Sequence, residues 1–161
     1  MNFSYPVLDR DTISSHFGWR MINGKKEFHN GIDFAVPRGT SVLASDAGTV
    51  AAVYNDNTGG KQLIIDHPGG FRSGYAHLDG FAVKQGEQVA KGEIIGWSGD
   101  TGKTTGPNLH FTITDRKGVK VDPAWYLKKK ALVLWGAGFA IVFLIVLIIL
   151  FLRLRNKKTK P

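Results

Sequence analysis

The side chains of three histidines and one aspartate could carry chemistry in this chain. His29 and Asp33 are four residues apart, a spacing that would place both on one face of a helix. Gly31 between them favours instead a strand that contains a turn. Alternation along that strand directs Ile32 and Phe34 to one side and Asp33 to the other. An imidazole and a carboxylate brought together suit zinc, but a His–Asp hydrogen bond at a turn has the same pattern.

His110 lies where a flexible loop enters a strand. Residues 98–108 are rich in glycine and threonine, which favour a tight turn, and residues 109–113 alternate as a strand does. Such a junction can hold a metal ligand rigidly, although a single histidine in a strand can equally be structural. His77 lies near the end of a predicted strand at residues 71–78, which would place it at the rim of the sheet.

Short strands separated by turns must position these side chains. Turn residues recur roughly every 8 to 12 residues between residues 36 and 66, and two glycine turns follow within residues 83–96. This pattern is typical of an all-β domain, either a sandwich or barrel-like, and not of alternating strands and helices. We expect a short helix at residues 121–127 to close the domain, with Asp122 as its cap and Pro123 in its first turn.

The charge of the chain is concentrated at one end. The chain contains 21 Lys and Arg and 13 Asp and Glu, and eight of the basic residues lie beyond residue 127. Residues 1–127 are therefore formally neutral, and we predict no nucleic-acid partner. The chain contains no cysteine, which excludes disulfides and thiolate metal sites. Any metal must therefore be held by His, Asp or Glu.

A segment of 22 apolar residues at 131–152 contains no charged side chain. As a helix it would be about 33 Å long, which exceeds the hydrocarbon core of about 30 Å. We therefore predict a single C-terminal transmembrane helix in contact with the lipid bilayer. A basic linker at 128–130 would join it to a domain at 1–127, and a basic tail at 153–161 would follow. The two glycines of the segment lack the spacing of a helix-dimer motif, so the sequence predicts no oligomeric state.

Five stretches form an ordered set within residues 10–127. They are His29-Asn-Gly-Ile-Asp33, Tyr75-Ala-His77-Leu78, the paired glycine turns of 83–96, Gly102-Lys-Thr-Thr-Gly-Pro-Asn-Leu-His-Phe111 and Asp122-Pro123. Together they resemble the lysostaphin-like zinc metallopeptidases, the M23 family, whose domains are also called LytM-type. The resemblance is specific because the motifs occur together in one β-rich domain.

The resemblance implies an all-β lysostaphin-like fold that binds Zn²⁺ through His29, Asp33 and His110. The family also places two histidines beside the attacking water. One corresponds to His77, but Asn108 stands at the position of the other. Asn108 cannot act as a base, although it can donate a hydrogen bond, so His77 would have to transfer the proton alone. The loss of one such group typically costs about 10²–10⁴-fold in rate.

Two functional hypotheses follow from the resemblance. The first is a zinc metalloendopeptidase, a cell-wall hydrolase that cleaves the peptide cross-bridges of peptidoglycan and binds its peptide stems. The second is a catalytically degenerate domain that binds peptidoglycan or regulates a partner hydrolase, and Asn108 motivates it. Restoring histidine at position 108 should raise activity sharply under the first hypothesis.

We expect a single-pass protein of the bacterial cytoplasmic membrane whose peptidase domain faces the cell wall. The orientation stays open, because residues 1–15 have no basic stretch followed by an apolar one and we expect no conventional signal peptide. Five basic residues follow the apolar segment and three immediately precede it, but the basic residues within 116–120 blunt this difference. Delivery by a phage or a secretion system is a further hypothesis.

Overall fold

The structure, a computed structural model, describes residues 2–9 and 11–127. The predicted basic linker, transmembrane helix and tail, which together span 128–161, lie outside the described residues. Within the described part of the chain, no helix is both long enough and apolar enough to cross a membrane.

Residues 2–9 and 11–127 contain twelve strands and two single-turn 3₁₀ helices. The strands are β1 (Ile13–Ser15), β2 (Gly18–Ile22), β3 (Lys25–His29), β4 (Ile32–Phe34), β5 (Ser41–Leu43), β6 (Gly48–Asp56), β7 (Gly60–Asp66), β8 (Arg72–Phe81), β9 (Gln88–Val89), β10 (Ile94–Ser98), β11 (Leu109–Thr114) and β12 (Lys120–Val121). The 3₁₀ helices are Pro68–Gly70 and Pro123–Trp125. The domain is therefore mostly β-sheet, as the turn spacing predicts.

Ten of these strands form one antiparallel sheet, and β2 and β3 form a separate hairpin. In the sheet, β1, β4, β11, β8, β7, β6 and β9 lie side by side in that order. β10 pairs with β5 and β8, and β12 pairs with β11. The register across the middle of the sheet places His110 of β11 opposite Asp33 of β4 on one side and opposite Ala76 of β8 on the other.

One face of β4 and β11 packs into the hydrophobic core. The fully buried residues of that face are Ile32, Phe34, Leu109, Phe111 and Ile113. Because successive side chains of a strand alternate, Asp33, His110 and Thr112 lie on the opposite face. Two predicted ligands, Asp33 and His110, thus become neighbours on adjacent strands, although 77 residues separate them in the chain.

The predicted closing helix at residues 121–127 is one turn of 3₁₀ helix. Its cap is the predicted one, because the Asp122 carboxylate accepts a hydrogen bond of 2.9 Å from the backbone nitrogen of Ala124. Pro123 occupies the first turn, where its missing N–H costs no hydrogen bond.

Strand β8 is longer than the sequence pattern predicts, so that His77 lies inside the strand and not near its end. His77 has a φ of 61°, a left-handed conformation that is uncommon outside glycine. The pairing of β8 with β7 shifts register at this point, between Lys61 and Leu63 of β7. A bulge therefore lets the strand continue past His77 and changes the direction of its side chain.

Candidate metal centre

The first two candidate ligands flank a tight turn between two strands. His29 ends β3, Asp33 is the middle residue of β4, and Gly31 lies between them. A methyl group added at Gly31 would lie 2.4 Å from the backbone oxygen of Phe111 and 2.8 Å from Cε1 of His110. Only glycine therefore lets this turn lie directly against β11, which brings the first two ligands to the third.

Three side-chain atoms converge at this point. Nε2 of His29 lies 3.1 Å from Oδ1 of Asp33 and 3.1 Å from Nδ1 of His110. Nδ1 of His110 lies 2.6 Å from the same Asp33 oxygen. His29 is buried, and Asp33 and His110 are partly buried, so the three side chains are largely shielded from water. The three residues predicted as ligands are therefore brought together by the fold.

The other nitrogen of each imidazole fixes which atom carries the proton. Nδ1 of His29 lies 2.8 Å from the backbone oxygen of His16, which can only accept, so Nδ1–H donates. Nε2 of His110 lies 3.2 Å from the amide oxygen of Asn30, so Nε2–H donates there. In the neutral form each ring then directs a lone pair towards the Asp33 carboxylate. This is the arrangement in which a second group orients a metal-binding histidine.

The surroundings of the site favour the charged form of the Asp33 carboxylate and the neutral form of the His110 imidazole. Burial alone would raise the pKa of Asp33, but the neighbouring imidazoles of His110 and His29 outweigh it and hold that pKa well below its usual value. Burial also lowers the pKa of His110, more than the neighbouring Asp33 raises it. With the tautomers that His16 and Asn30 favour, three electron-rich atoms face one another, an arrangement that suits a bound cation.

The donor set fits zinc. Two imidazole nitrogens and one carboxylate oxygen are common zinc ligands, and ligands bound at about 2.0–2.2 Å to a tetrahedral ion lie roughly 3.3 Å apart. The observed separations of 2.6–3.1 Å need only a small expansion. Three protein ligands leave a fourth position open, as in catalytic zinc sites.

Arg20 supports the site from the β2–β3 hairpin. Its Nη1 donates to Oδ2 of Asp33 at 3.3 Å and to Oγ of Ser15 at 2.7 Å, and its Nη2 lies 3.4 Å from Glu27. The guanidinium therefore holds the oxygen of Asp33 that does not face the histidines. The sequence analysis does not identify Arg20, because its only signal is a lone basic residue in a strand.

His77 lies beside the converging ligands. Its ring centroid is 6.1 Å from that of His110. Its Nδ1–H donates to the backbone oxygen of Thr101 at 2.8 Å, which leaves the lone pair on Nε2. His77 can therefore accept a proton at Nε2 while Thr101 holds the ring. The sequence analysis also does not identify Thr101, since its backbone oxygen acts and no side-chain pattern marks it.

Close backbone packing places Thr101 beside His77. Gly60 at the start of β7 and Gly102 both have positive φ, and a methyl group on either would lie 2.3 Å from an atom of the other loop. The hydroxyl of Thr101 donates to the backbone oxygen of Leu78 at 2.8 Å and accepts from the backbone nitrogen of Lys61 at 3.0 Å. These contacts join the loop after β10 to β7 and β8.

Asn108 is held by its own loop. Its Nδ2 donates to the hydroxyl of Thr104 and, at 3.0 Å, to the backbone oxygen of Gly106. Its Oδ1 is buried and has no hydrogen-bond partner among the described residues. The two N–H donors of the Asn108 amide therefore stabilise the loop, and only its oxygen, which is an acceptor, remains available. In this arrangement Asn108 does not offer a free N–H to a reacting oxyanion.

The other two histidines do not contribute side chains to this site. His16 acts through its backbone oxygen, which accepts from His29. His67 is buried in a separate network, where Nδ1–H donates to the backbone oxygen of Ala47 and Nε2 accepts from the hydroxyl of Ser73. Both therefore have structural roles in the described domain.

A known protein family matches the part of the chain that contains the metal centre. The model of Peptidase family M23 matches residues 27–123. The peptidoglycan DD-endopeptidase ShyA of Vibrio cholerae is 39% identical over 115 residues, which cover 70% of this chain and 27% of that protein. The DD-carboxypeptidase/endopeptidase Mpg of Neisseria meningitidis is 44% identical over 111 residues, 68% of this chain and 26% of that protein. The chain thus matches about a quarter of the length of these relatives.

Solved structures show the same fold. A zinc-containing peptidase from Vibrio cholerae has a TM-score of 0.70 at 36% identity, over 81% of this chain and 40% of that one. The catalytic domain of lysostaphin from Staphylococcus simulans has a TM-score of 0.63 at 36% identity, over 71% of this chain and 89% of that one. The lysostaphin-like fold expected from the sequence is therefore confirmed for the described domain.

Proposed function

The chain belongs to peptidase family M23, and on this basis we propose that it is a zinc metalloendopeptidase that hydrolyses peptide cross-bridges of peptidoglycan. One observation carries the proposal: an imidazole nitrogen of His29, an imidazole nitrogen of His110 and a carboxylate oxygen of Asp33 all lie within 3.1 Å of one another, and these are atoms that zinc prefers as ligands. The curated relatives support the substrate class, because they are named as a peptidoglycan DD-endopeptidase and a DD-carboxypeptidase/endopeptidase.

The side chains of the site divide the work of hydrolysis. His29, Asp33 and His110 would hold the zinc, and Arg20 would fix the orientation of the carboxylate. Bound zinc would supply a Lewis acid that activates water and polarises the peptide carbonyl. His77 would take the proton of the attacking water at Nε2 and return it to the leaving amine, while Thr101 keeps its ring in place.

A second candidate function rests on Asn108. An asparagine cannot transfer a proton, and here its donors are used by Thr104 and Gly106. A domain that holds zinc and binds peptide stems without cutting them would use the same ligands. Such a domain could bind peptidoglycan or regulate a partner hydrolase. Zinc content does not separate the two candidates, but turnover does.

The proposed location follows from the sequence beyond the described residues. The apolar segment at 131–152 would anchor the protein in the bacterial cytoplasmic membrane, with the basic stretches on either side near the lipid surface. With the peptidase domain facing the wall, the anchor would keep the enzyme close to its substrate. Protease accessibility in intact spheroplasts tests this orientation, since an inward-facing domain would be protected together with a cytoplasmic marker.

Release of dye-labelled fragments from purified peptidoglycan tests the proposed activity. The full chain is assayed with zinc, after chelation, and after zinc is added back. Asp33→Asn should lose both zinc and turnover, whereas His77→Ala should keep stoichiometric zinc and lose turnover. Stoichiometric zinc in the wild type without fragment release would instead support the second candidate.

A further inference from the structure

A lysine lies across the same face of the sheet as the metal centre. Nζ of Lys120 on β12 donates a hydrogen bond of 2.7 Å to the hydroxyl of Thr112 on β11. Thr112 is two residues beyond His110 in an uninterrupted stretch of β11, so that both side chains lie on one face. The ammonium group of Lys120 is therefore displaced from the metal centre in the direction of strand β11.

The neighbouring strand leaves room for this lysine. Gly74 of β8 is the cross-strand partner of Thr112. A methyl group on Gly74 would lie 2.6 Å from the Thr112 hydroxyl and 3.9 Å from Nζ of Lys120. Because Gly74 has no side chain, the Lys120 side chain can extend over the sheet at this point. Thr112 is only 6% exposed, whereas Lys120 as a whole is exposed.

Within the part of the chain that the structure describes, the ammonium of Lys120 has no charged partner. Among residues 2–9 and 11–127, no carboxylate forms an ion pair with it; its only hydrogen bond is to the neutral Thr112 hydroxyl. Burial of the amine lowers the pKa of Lys120, and no anion among the described residues opposes that effect. A carboxylate placed here would form a charge-assisted hydrogen bond and relieve the cost of the uncompensated cation.

We infer that Lys120 and Thr112 form a subsite for a carboxylate of the peptide substrate, and this inference rests on the proposed peptidase function. Two residues along a strand correspond to roughly 6.6 Å, and an extended peptide advances about 3.3–3.6 Å per residue. A peptide that runs along β11 with its scissile carbonyl beside the three ligand side chains would thus place a carboxylate about two residues away beside Lys120. That carboxylate is either the C-terminus of the peptide or the side chain of an acidic residue in it.

Matched peptides distinguish the two sources of the carboxylate. One pair of stem peptides carries a C-terminal acid or the corresponding amide, and a second pair carries an acidic side chain or its amide. Cleavage by the zinc-loaded full chain gives kcat/KM for each peptide, and calorimetry gives the dissociation constant. A hydrogen bond to a charged group is expected to make the favoured acid better than its amide by about 10- to 100-fold.

Three variants test whether Lys120 is responsible. Lys120→Met should reduce the preference for the acid to less than about twofold, and Lys120→Arg should retain part of it, since the charge is kept. Lys84→Met, at an exposed lysine in the turn between β8 and β9, should leave the wild-type preference unchanged. Thermal unfolding of each variant confirms that it is folded.

The outcomes separate this inference from the proposed function. An acid preference that persists in Lys120→Met, or a wild type that does not distinguish either acid from its amide, would overturn the subsite. Failure to cleave any peptide would count against the peptidase function only, because calorimetry still measures whether the zinc-loaded chain prefers an acid and whether that preference requires Lys120.

Discussion

Replacing Arg20 by methionine should weaken zinc binding without removing any ligand. Arg20 donates to Oδ2 of Asp33 at 3.3 Å, and the two side chains are 29% and 20% exposed. Methionine keeps most of the aliphatic length and removes the charge and the donors. The Asp33 carboxylate then loses the group that orients it and balances part of its charge, so the cost appears in metal affinity.

The expected magnitude is modest. Loss of a group that orients a metal ligand typically costs 10–100-fold in affinity, or about 1.4–2.7 kcal/mol. The contact of 3.3 Å is longer than a strong charge-assisted hydrogen bond, and water reaches both partners. We therefore expect a loss near the lower limit, about tenfold. Titration against a chromophoric zinc chelator of known affinity measures it.

Glu27→Gln is the matched control. It removes the other acidic partner of Arg20, which lies 3.4 Å away and is 56% exposed, and leaves Asp33 untouched. A surface pair of this kind contributes about 0–1 kcal/mol, or at most about fivefold, and Glu27 does not contact Asp33, so zinc affinity should change by less than about threefold. The reasoning is refuted if Arg20→Met binds zinc as tightly as the wild type, or if both variants lose affinity equally.

Three further predictions concern the turn, the missing histidine and a buried histidine. Gly31→Ala should lower the free energy of unfolding by about 1–3 kcal/mol and weaken zinc binding, because its methyl group would lie 2.4 Å from a backbone oxygen. Gly106→Ala is the control, because a methyl group there has open space. Chemical denaturation and zinc titration should show little change for this control. Asn108→His should raise kcat/KM on peptidoglycan peptides by about 10²–10⁴-fold, and an unchanged value would show that His77 alone suffices. Burial lowers the pKa of His67 from its ordinary 6.5, so His67 binds a proton more readily in the unfolded chain than in the folded one. The contribution of His67 to stability should therefore be complete above about pH 6.5 and lost as the pH falls through the lowered pKa. Urea denaturation from pH 7.5 to 5 should show a flatter dependence for His67→Gln, and equal slopes would contradict the assignment.

The sequence predicts which side chains converge better than it predicts the groups that surround them. The His29–Asp33 spacing and the loop before His110 are local patterns, and alternation in β4 follows from Ile32 and Phe34. These features depend on neighbouring residues, so a single sequence displays them. The resemblance to a known family then connects the distant motifs before the register of the sheet is known.

The groups that orient the ligands depend on contacts between distant strands. Arg20 lies on β2 and reaches Asp33 on β4, a strand with which β2 does not pair. The oxygens that hold His29 and His77 belong to the backbones of His16 and Thr101. A backbone atom has no residue-type signal. The bulge at His77, which makes β8 longer than predicted, likewise arises from pairing with β7 and not from local propensity.

Mass spectrometry of peptidoglycan digested by the zinc-loaded full chain tests the central claim most directly, with His110→Ala digested in parallel. The account predicts shortened peptide stems, or separated cross-links, that each gain one water per cleaved bond, and it predicts none of these products from His110→Ala. Intact cross-links with a wild-type chain that holds one equivalent of zinc would contradict the claim that this site is a working peptidase. Equal products from His110→Ala would contradict the claim that the three converging side chains hold the metal that acts.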